Sequence, residues 1–152
     1  MTDCRIENRT EPGTGVEVWS SSSHIIGGRI AAKTAAVVAG AGGKVTVDEA
    51  LLINGGAVAL QGGVLTLDDC DLVGSVRAAV RSFGVVTLSN SRMQQHALGL
   101  IVSGPDARLT VTNCYWSDVD EIVVYEDSAT EDQLFMDGEI PSSTSGQPPR
   151  GS

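Results

Sequence analysis

The stretch GGVLTLDDCDL, Gly62 to Leu72, decides the fold because the chain repeats its pattern at a nearly fixed interval. GGKVTVDEALL (Gly42 to Leu52) precedes it, and FGVVTLSNSRM (Phe83 to Met93) and DARLTVTNCYW (Asp106 to Trp116) follow. The threonines of the four copies, Thr46, Thr66, Thr87 and Thr110, are spaced by 20, 21 and 23 residues. Within each copy apolar residues alternate with polar ones, the period of a strand with one buried face. The copies are separated by turn signals, Gly42-Gly43, Gly62-Gly63, Gly84 and Gly104-Pro105-Asp106.

Aligning the copies extends the repeat. Cys4, Gly28, Ala50, Cys70, Ser91 and Cys114 fall in one column, and Ile6, Ile30, Leu52, Leu72, Met93 and Trp116 fall two positions later. Three positions before the cysteine column stand Met1, Ile25, Val47, Leu67, Leu88 and Val111. These columns are small or apolar throughout, as the inward positions of stacked strands must be. A second strand repeats with them. Its inward pairs read Val16/Val18, Ala36/Val38, Val58/Leu60, Ala78/Val80, Leu100/Val102 and Ile122/Val124.

A period in this range belongs to a solenoid. The leucine-rich pattern LxxLxL and the helical half that accompanies it are missing, and so is the six-residue subperiod of a hexapeptide helix. Short β-branched strands separated by Gly, Asn and Asp predict an all-β chain: a right-handed parallel β-helix of about six rungs, each of 20–24 residues. Residues 1–127 form the helix. Residues 128–140, with Leu134, Phe135 and Met136, are expected to fold over its lower end as a cap, and the Ser/Gly/Pro-rich 141–152 to be a disordered tail. Met1 already sits in an inward column, so the first rung is expected to need upstream sequence or a partner to cover it.

These repeats resemble those of the pectate-lyase-like β-helix superfamily, which includes pectate lyases, polygalacturonases, phage tailspikes and non-enzymatic proteins. The resemblance is one of fold. Of the polygalacturonase motifs NTD, DD, GHG and RIK, the chain has a DD, Asp68-Asp69, and lacks the other three. Pectate lyases pair calcium-binding aspartates with a catalytic arginine, and Arg77 and Arg81 lie within the same rung as Asp68-Asp69.

The columns also gather polar residues. Adjacent rungs bring Asp48, Glu49, Asp68 and Asp69 into one patch at a turn, about 4.8 Å apart by the strand spacing. Stacked like charges are unfavourable, so the patch is a candidate metal site whose oxygen-only ligands suit Ca²⁺; no other cofactor is expected. Asp and Asn at these positions are also what tight turns accept. The threonines form an outward ladder headed by His24. His24 and His96 each look isolated, His96 in the loop Gln94-Gln95-His96. Asp71 and Arg92 should make a surface ion pair. Cys70 and Cys114 share a column two rungs apart, about 9.6 Å, beyond disulfide reach. With Cys4 they are read as free buried thiols, compatible with a reducing compartment.

On the second strand the outward positions read Glu17, Val37, Ala59, Ala79, Ile101 and Val123, then Trp19, Ala39, Gln61, Arg81, Ser103 and Tyr125. Val37, Ala59, Ala79, Ile101 and Val123, flanked by Trp19 and Tyr125, would expose a contiguous apolar stripe, the usual mark of an interface, unless Leu134 to Met136 covers it.

The net charge of −9 is uneven: Asp118 to Glu139 contains nine carboxylates and no Lys or Arg, while residues before it are close to neutral. Phosphate-driven nucleic-acid binding is therefore not expected. No apolar run is long enough for a membrane span, and the N-terminus does not read as a signal peptide. The residues thus point to a non-catalytic structural or interaction module, a short β-helix that binds a protein partner or another copy of itself through its apolar strand face, its uncapped end, or both. The alternative is a carbohydrate-binding or carbohydrate-active domain, a polysaccharide lyase or glycoside hydrolase, using the acidic patch with Arg77, Arg81 or Arg92.

Overall fold

The computed structural model describes residues 5–8, 14–74 and 78–136. In chain order the strands are β1 (Arg5–Asn8), β2 (Thr14–Val18), β3 (Ser22–Ile26), β4 (Arg29–Ala39), β5 (Lys44–Asp48), β6 (Leu51–Ala59) and β7 (Val64–Asp68). There follow β8 (Asp71–Val73), β9 (Ala78–Ser82), β10 (Val85–Ser89), β11 (Arg92–Ser103), β12 (Arg108–Thr112), β13 (Tyr115–Glu126) and β14 (Leu134–Met136). A turn of 3₁₀ helix, Glu131–Gln133, precedes the last strand.

Two sheets wrap one core. The first runs β14-β12-β10-β7-β5-β3, and the second follows the path β1-β4-β6-β8-β11-β13, with β2 and β9 pairing beside it. Each of these pairings is parallel. The chain is a parallel β-solenoid of about five turns, slightly fewer than the repeat count suggests.

The first-sheet register follows the aligned repeats. Ile25, Val47, Leu67, Leu88 and Val111 stand in one column and are each 1% exposed or less, and Met136 continues it below Val111. Thr46, Thr66, Thr87 and Thr110 form the outward ladder, with His24 at its head and Phe135 at its foot. In the second sheet Ile6, Ile30, Leu52, Leu72, Met93 and Trp116 are register partners in turn. The proposed column members Met1 and Cys4 lie outside the described residues, as do Arg77 and the tail 141–152.

The turns explain the Gly, Asn and Asp content. Between the first-sheet strand and the next one, Gly27, Glu49, Asp69, Asn90 and Asn113 all take positive φ, from 50° to 70°. Asn and Asp tolerate this left-handed region better than other side chains, so the column accounts for Asp69 without a ligand. At the opposite corner the chain passes so close to the rung above that a Cβ on Gly43 or Gly63 would lie 2.2 Å from the Val18 or Ala39 carbonyl oxygen.

Two expectations are corrected. Leu134–Met136 do not fold over the end of the stack. They add a strand to the first sheet, in register with Leu109, Thr110 and Val111. Gln133 anchors this addition: it is buried, its Nε2 donates to the Gly104 and Ala107 carbonyls at 2.8 and 2.9 Å, and its Oε1 accepts from the Thr130 N–H at 2.7 Å. Because β14 lies in the first sheet, it does not shield the second strand either.

The second strand is out of register with the expected columns. The pairings give Val16–Val37–Ala57–Val80–Leu100–Val123 and Val18–Ala39–Ala59–Ser82–Val102–Tyr125 as two columns. Val37, Ala57, Val80, Leu100, Ala39, Ala59, Ser82 and Val102 are fully buried, so both columns face the core. The outward column between them is Glu17–Val38–Val58–Arg81–Ile101–Val124. The pairs Val16/Val18 and Leu100/Val102 are inward as expected, whereas the rungs of Val37, Ala59 and Val123 have slipped by one. The cause is local. Residues 35–39 (AAVVA) and 56–60 (GAVAL) are small or apolar at every position, so alternation carries no information, and a slip of one residue exchanges the faces.

The corrected register predicts an ordering of two variants. Val37→Lys places a charge in the core and should cost more than about 3 kcal/mol. Val58→Lys, on the outward column, should cost less than about 1 kcal/mol. Urea melts of both variants measure this, and the reverse order would contradict the register.

Candidate functional site

The acidic turn is built by β5, β7 and the positive-φ column that follows them. Asp48 and Asp68 are register partners on adjacent rungs, and each has found its own neighbour. Asp48 Oδ2 lies 2.5 Å from His24 Nε2, one rung above. Asp68 Oδ1 accepts from Asn90 Nδ2 at 2.8 Å and from Ser89 Oγ at 2.9 Å. These bonds, Asn90 first, hold the Asp68 carboxyl below its ordinary pKa. Asn113 Nδ2 donates to Asn90 Oδ1 at 2.7 Å, so an amide ladder continues down the turn. Glu49 and Asp69 occupy the positive-φ positions and are exposed. The four acids are thus neighbours on two rungs. Among the described residues, however, no three His, Cys, Asp or Glu side chains converge as a metal-ligand set.

Of the arginines considered with this patch, Arg81 and Arg92 are engaged elsewhere. Arg92 Nε stands 3.7 Å from Asp71 Oδ1, the expected vertical pair. Arg81 Nη2 is 3.0 Å from Glu126 Oε1, and its guanidinium carbon lies 4.7 Å from the centre of the Phe83 ring. Ser103 Oγ donates to the same Glu126 oxygen at 3.0 Å. Arg81 is the register partner of Ile101, and Glu126 lies on the rung beyond Ile101. Ile101 keeps its outward face but is 5% exposed.

The remaining stripe residues divide. Val37, Ala59 and Ala79 belong to the buried core and cannot meet a partner. Val123 and Tyr125 stand in inward columns and are partly buried against the core. Trp19 is exposed at 49%; its Nε1 donates to Glu17 Oε1, and its ring lies flat on Gly40, where a Cβ would come within 2.3 Å of it. Tyr115 is also exposed.

Cys70 is buried and donates from Sγ to the Val47 and Asp68 carbonyls, both at 3.4 Å. Burial pushes its thiol up to about 11 and raises Cys114 as well, so neither is a ready thiolate. Both are free, with Ser91 between them in the column. His96 is not in a loop. It lies within β11, is 3% exposed, and its Nε2 is 2.7 Å from the Leu72 carbonyl oxygen. Burial holds it below its usual pKa and so favours the neutral ring.

Two further features were not legible from the repeat pattern. Gln61 Nε2 donates to Asp106 Oδ2 at 3.0 Å across a shallow groove of about 380 Å³ that is walled by Val64, Phe83 and Val85. The second feature is the last rung. The hydrophobic residues packed against the core but still partly exposed are Cys114, Trp116, Val123, Tyr125, Ala129, Leu134 and Met136 at this end, with Val16 at the other. Their counterparts one rung up, Met93, Leu100, Val102, Leu109 and Val111, are 1% exposed or less. The contrast becomes visible once β14 is seen to be a rung and not a cap.

Comparison with family models, with curated proteins and with solved structures returns no match. No helix is long and apolar enough to cross a membrane among the described residues.

Asp48 and Asp68 already have protein partners and the four acids do not converge as a ligand set, so millimolar Ca²⁺ should leave the melting temperature within about 1 °C. A site loaded a hundredfold above its Kd would add about 2.7 kcal/mol. A rise of several degrees that Asp68→Asn abolishes would establish a calcium site there.

Proposed function

We propose that the chain is a non-catalytic interaction module that meets a protein partner at the C-terminal end of its stack. The observation that carries this reading is the contrast between the last rung and the one above it. Met93, Leu100 and Val102 are fully covered, while Trp116, Val123 and Tyr125, directly below them, are not. Each further rung buries the apolar side chains of the rung before it, at roughly 25 cal/mol per Å² of apolar surface removed from water. A partner that supplies the next layer gains that energy. Solenoids require a polar-faced cap at their ends for this reason; among the described residues β14 adds a strand to the first sheet and leaves Trp116, Val123 and Tyr125 partly exposed.

The polysaccharide chemistry of the pectate-lyase-like solenoids that the repeats resemble receives less support. A general acid needs a carboxyl held protonated near neutral pH, and the bonds from Asn90 and Ser89 favour ionised Asp68. Arg81 and Arg92 are paired with Glu126 and Asp71. Trp19 and Tyr115 are far apart in the stack, on its first and last rungs, and do not form a stacking platform for a sugar chain.

The environment-sensitive dye anilinonaphthalene sulfonate tests for the open end. The folded chain should bind it with energy transfer from tryptophan, and Val123→Lys with Tyr125→Lys should abolish most of the signal while circular dichroism is unchanged. A folded chain that binds no dye would overturn the reading.

A further inference from the structure

The groove between Gln61 and Asp106 exists because one corner of the stack is short. Two register columns flank that corner, Ala59–Ser82–Val102 and Val64–Val85–Arg108. Between them the chain turns through Leu60 to Gly63 on one rung and through Ser103 to Ala107 two rungs further on. The rung in between turns through Phe83 and Gly84 alone. The residues missing there leave a notch of about 380 Å³. Phe83 and Val64 are half-buried in its wall, and Val85 is 41% exposed. Of the side chains that line it, Asp106 carries the only formal charge. The short corner also leaves a main-chain donor. One rung up, Gly42 donates its N–H to the Gly62 carbonyl. Gly62 has the same left-handed backbone, φ 83° against 75°, but the shortened rung holds no equivalent residue beneath it. Among the described residues its N–H has no hydrogen-bond partner.

We propose that this notch takes a lysine side chain from an extended segment of a partner protein. It is a second contact, at a corner of the stack and apart from the last rung. The aliphatic stem of the lysine lies on Val64, Phe83 and Val85, as long cationic side chains cover apolar surface while their heads stay in water. The ammonium meets the Asp106 carboxylate, and a main-chain carbonyl of the segment accepts from the Gly62 N–H. That second bond selects a peptide over a simple amine. Gln61 Nε2 already holds Asp106 Oδ2 at 3.0 Å. One carboxylate oxygen therefore remains for the ligand, which suits the point charge of lysine better than the two-pronged guanidinium of arginine. The cations nearby do not occupy that oxygen: Arg81 is turned to Glu126, and Arg108 Nη1 donates to the Pro105 and Ala107 carbonyls. The volume lies at the low end of small-ligand sites, room for one side chain.

The test titrates the whole chain with a short blocked peptide of alanines around one central lysine, followed by amide shifts up to about 10 mM, enough to detect a millimolar contact. The same peptide with norleucine or arginine at its centre, and pentylamine, serve as comparisons. The lysine peptide should shift Gly62, Phe83, Gly84, Val85 and Asp106 together, with the Gly62 amide proton moving downfield as it gains an acceptor. Raising the salt should weaken binding. Asp106→Asn keeps an acceptor for Gln61 and removes the charge; it should weaken binding by about fivefold. Asp106 is exposed, so circular dichroism should be unchanged. Val123→Lys with Tyr125→Lys should leave the lysine peptide bound, and its loss in that variant would overturn a site separate from the last rung. Equal binding of the norleucine peptide, or no effect of Asp106→Asn, would overturn the cationic ligand. Pentylamine binding as tightly, with Gly62 unmoved, would replace the partner segment by a free amine, and tighter binding of the arginine peptide would overturn the choice of lysine. If the lysine peptide shifts none of the notch residues, there is no site there.

Discussion

Parallel main-chain pairing at one strand spacing is the constraint on which the structure depends. It places each side chain directly above and below its equivalent in the neighbouring rungs, about 4.8 Å away. Whatever a position carries must therefore tolerate itself. Leu67 between Val47 and Leu88 does so by apolar packing, and Thr66 between Thr46 and Thr87 does so as an exposed β-branched stack. The positive-φ column from Gly27 to Asn113 does so by admitting mainly residues that accept a left-handed backbone. Stacked carboxylates repel, and where Asp48 stands over Asp68 each is offset by another neighbour. Asp48 finds His24, Asp68 finds Ser89 and Asn90, and Asp71 finds Arg92.

The same rule explains what could be seen in the sequence. In LTLD (Leu65 to Asp68) and its copies VTVD, VTLS and LTVT apolar and polar residues alternate, so one face is possible, and the columns of Leu67, Cys70 and Leu72 follow from spacing alone. The second strand is small or apolar on both faces near Val37 and Ala59, and nothing in the period distinguishes the two registers. The expected interface stripe accordingly became core at Val37, Ala59 and Ala79. His96 was hidden for a related reason. The strand β11 runs through Gln94-Gln95-His96 with Gln95 at φ 61°, and an irregularity of this kind breaks the alternation that marks a strand.

Of the candidate site, the acidic residues were legible as neighbours, but the partners of Asp48 and Asp68 were not. Their partners depend on diagonal reach between rungs, as from Asn90 to Asp68, which a column alignment does not contain. The Arg81–Glu126 pair spans two rungs and is still less accessible to such an alignment. The open end was obscured because Leu134, Phe135 and Met136 read as a loose apolar cluster suited to a cap. Their spacing matches Leu109, Thr110 and Val111, and they continue the stack instead.

Among the described residues the core is closed through β11, whereas Trp116, Val123 and Tyr125 of β13 are left partly exposed. Amide hydrogen exchange on the isolated chain, resolved by residue, tests it most directly. Strong protection is expected across β5, β7, β10 and β11, with faster exchange at Val123 to Glu126 in β13, where Val123 and Tyr125 are only partly covered. Protection at Val123 to Glu126 as strong as along β11 would show that this end is already covered and would contradict that expectation.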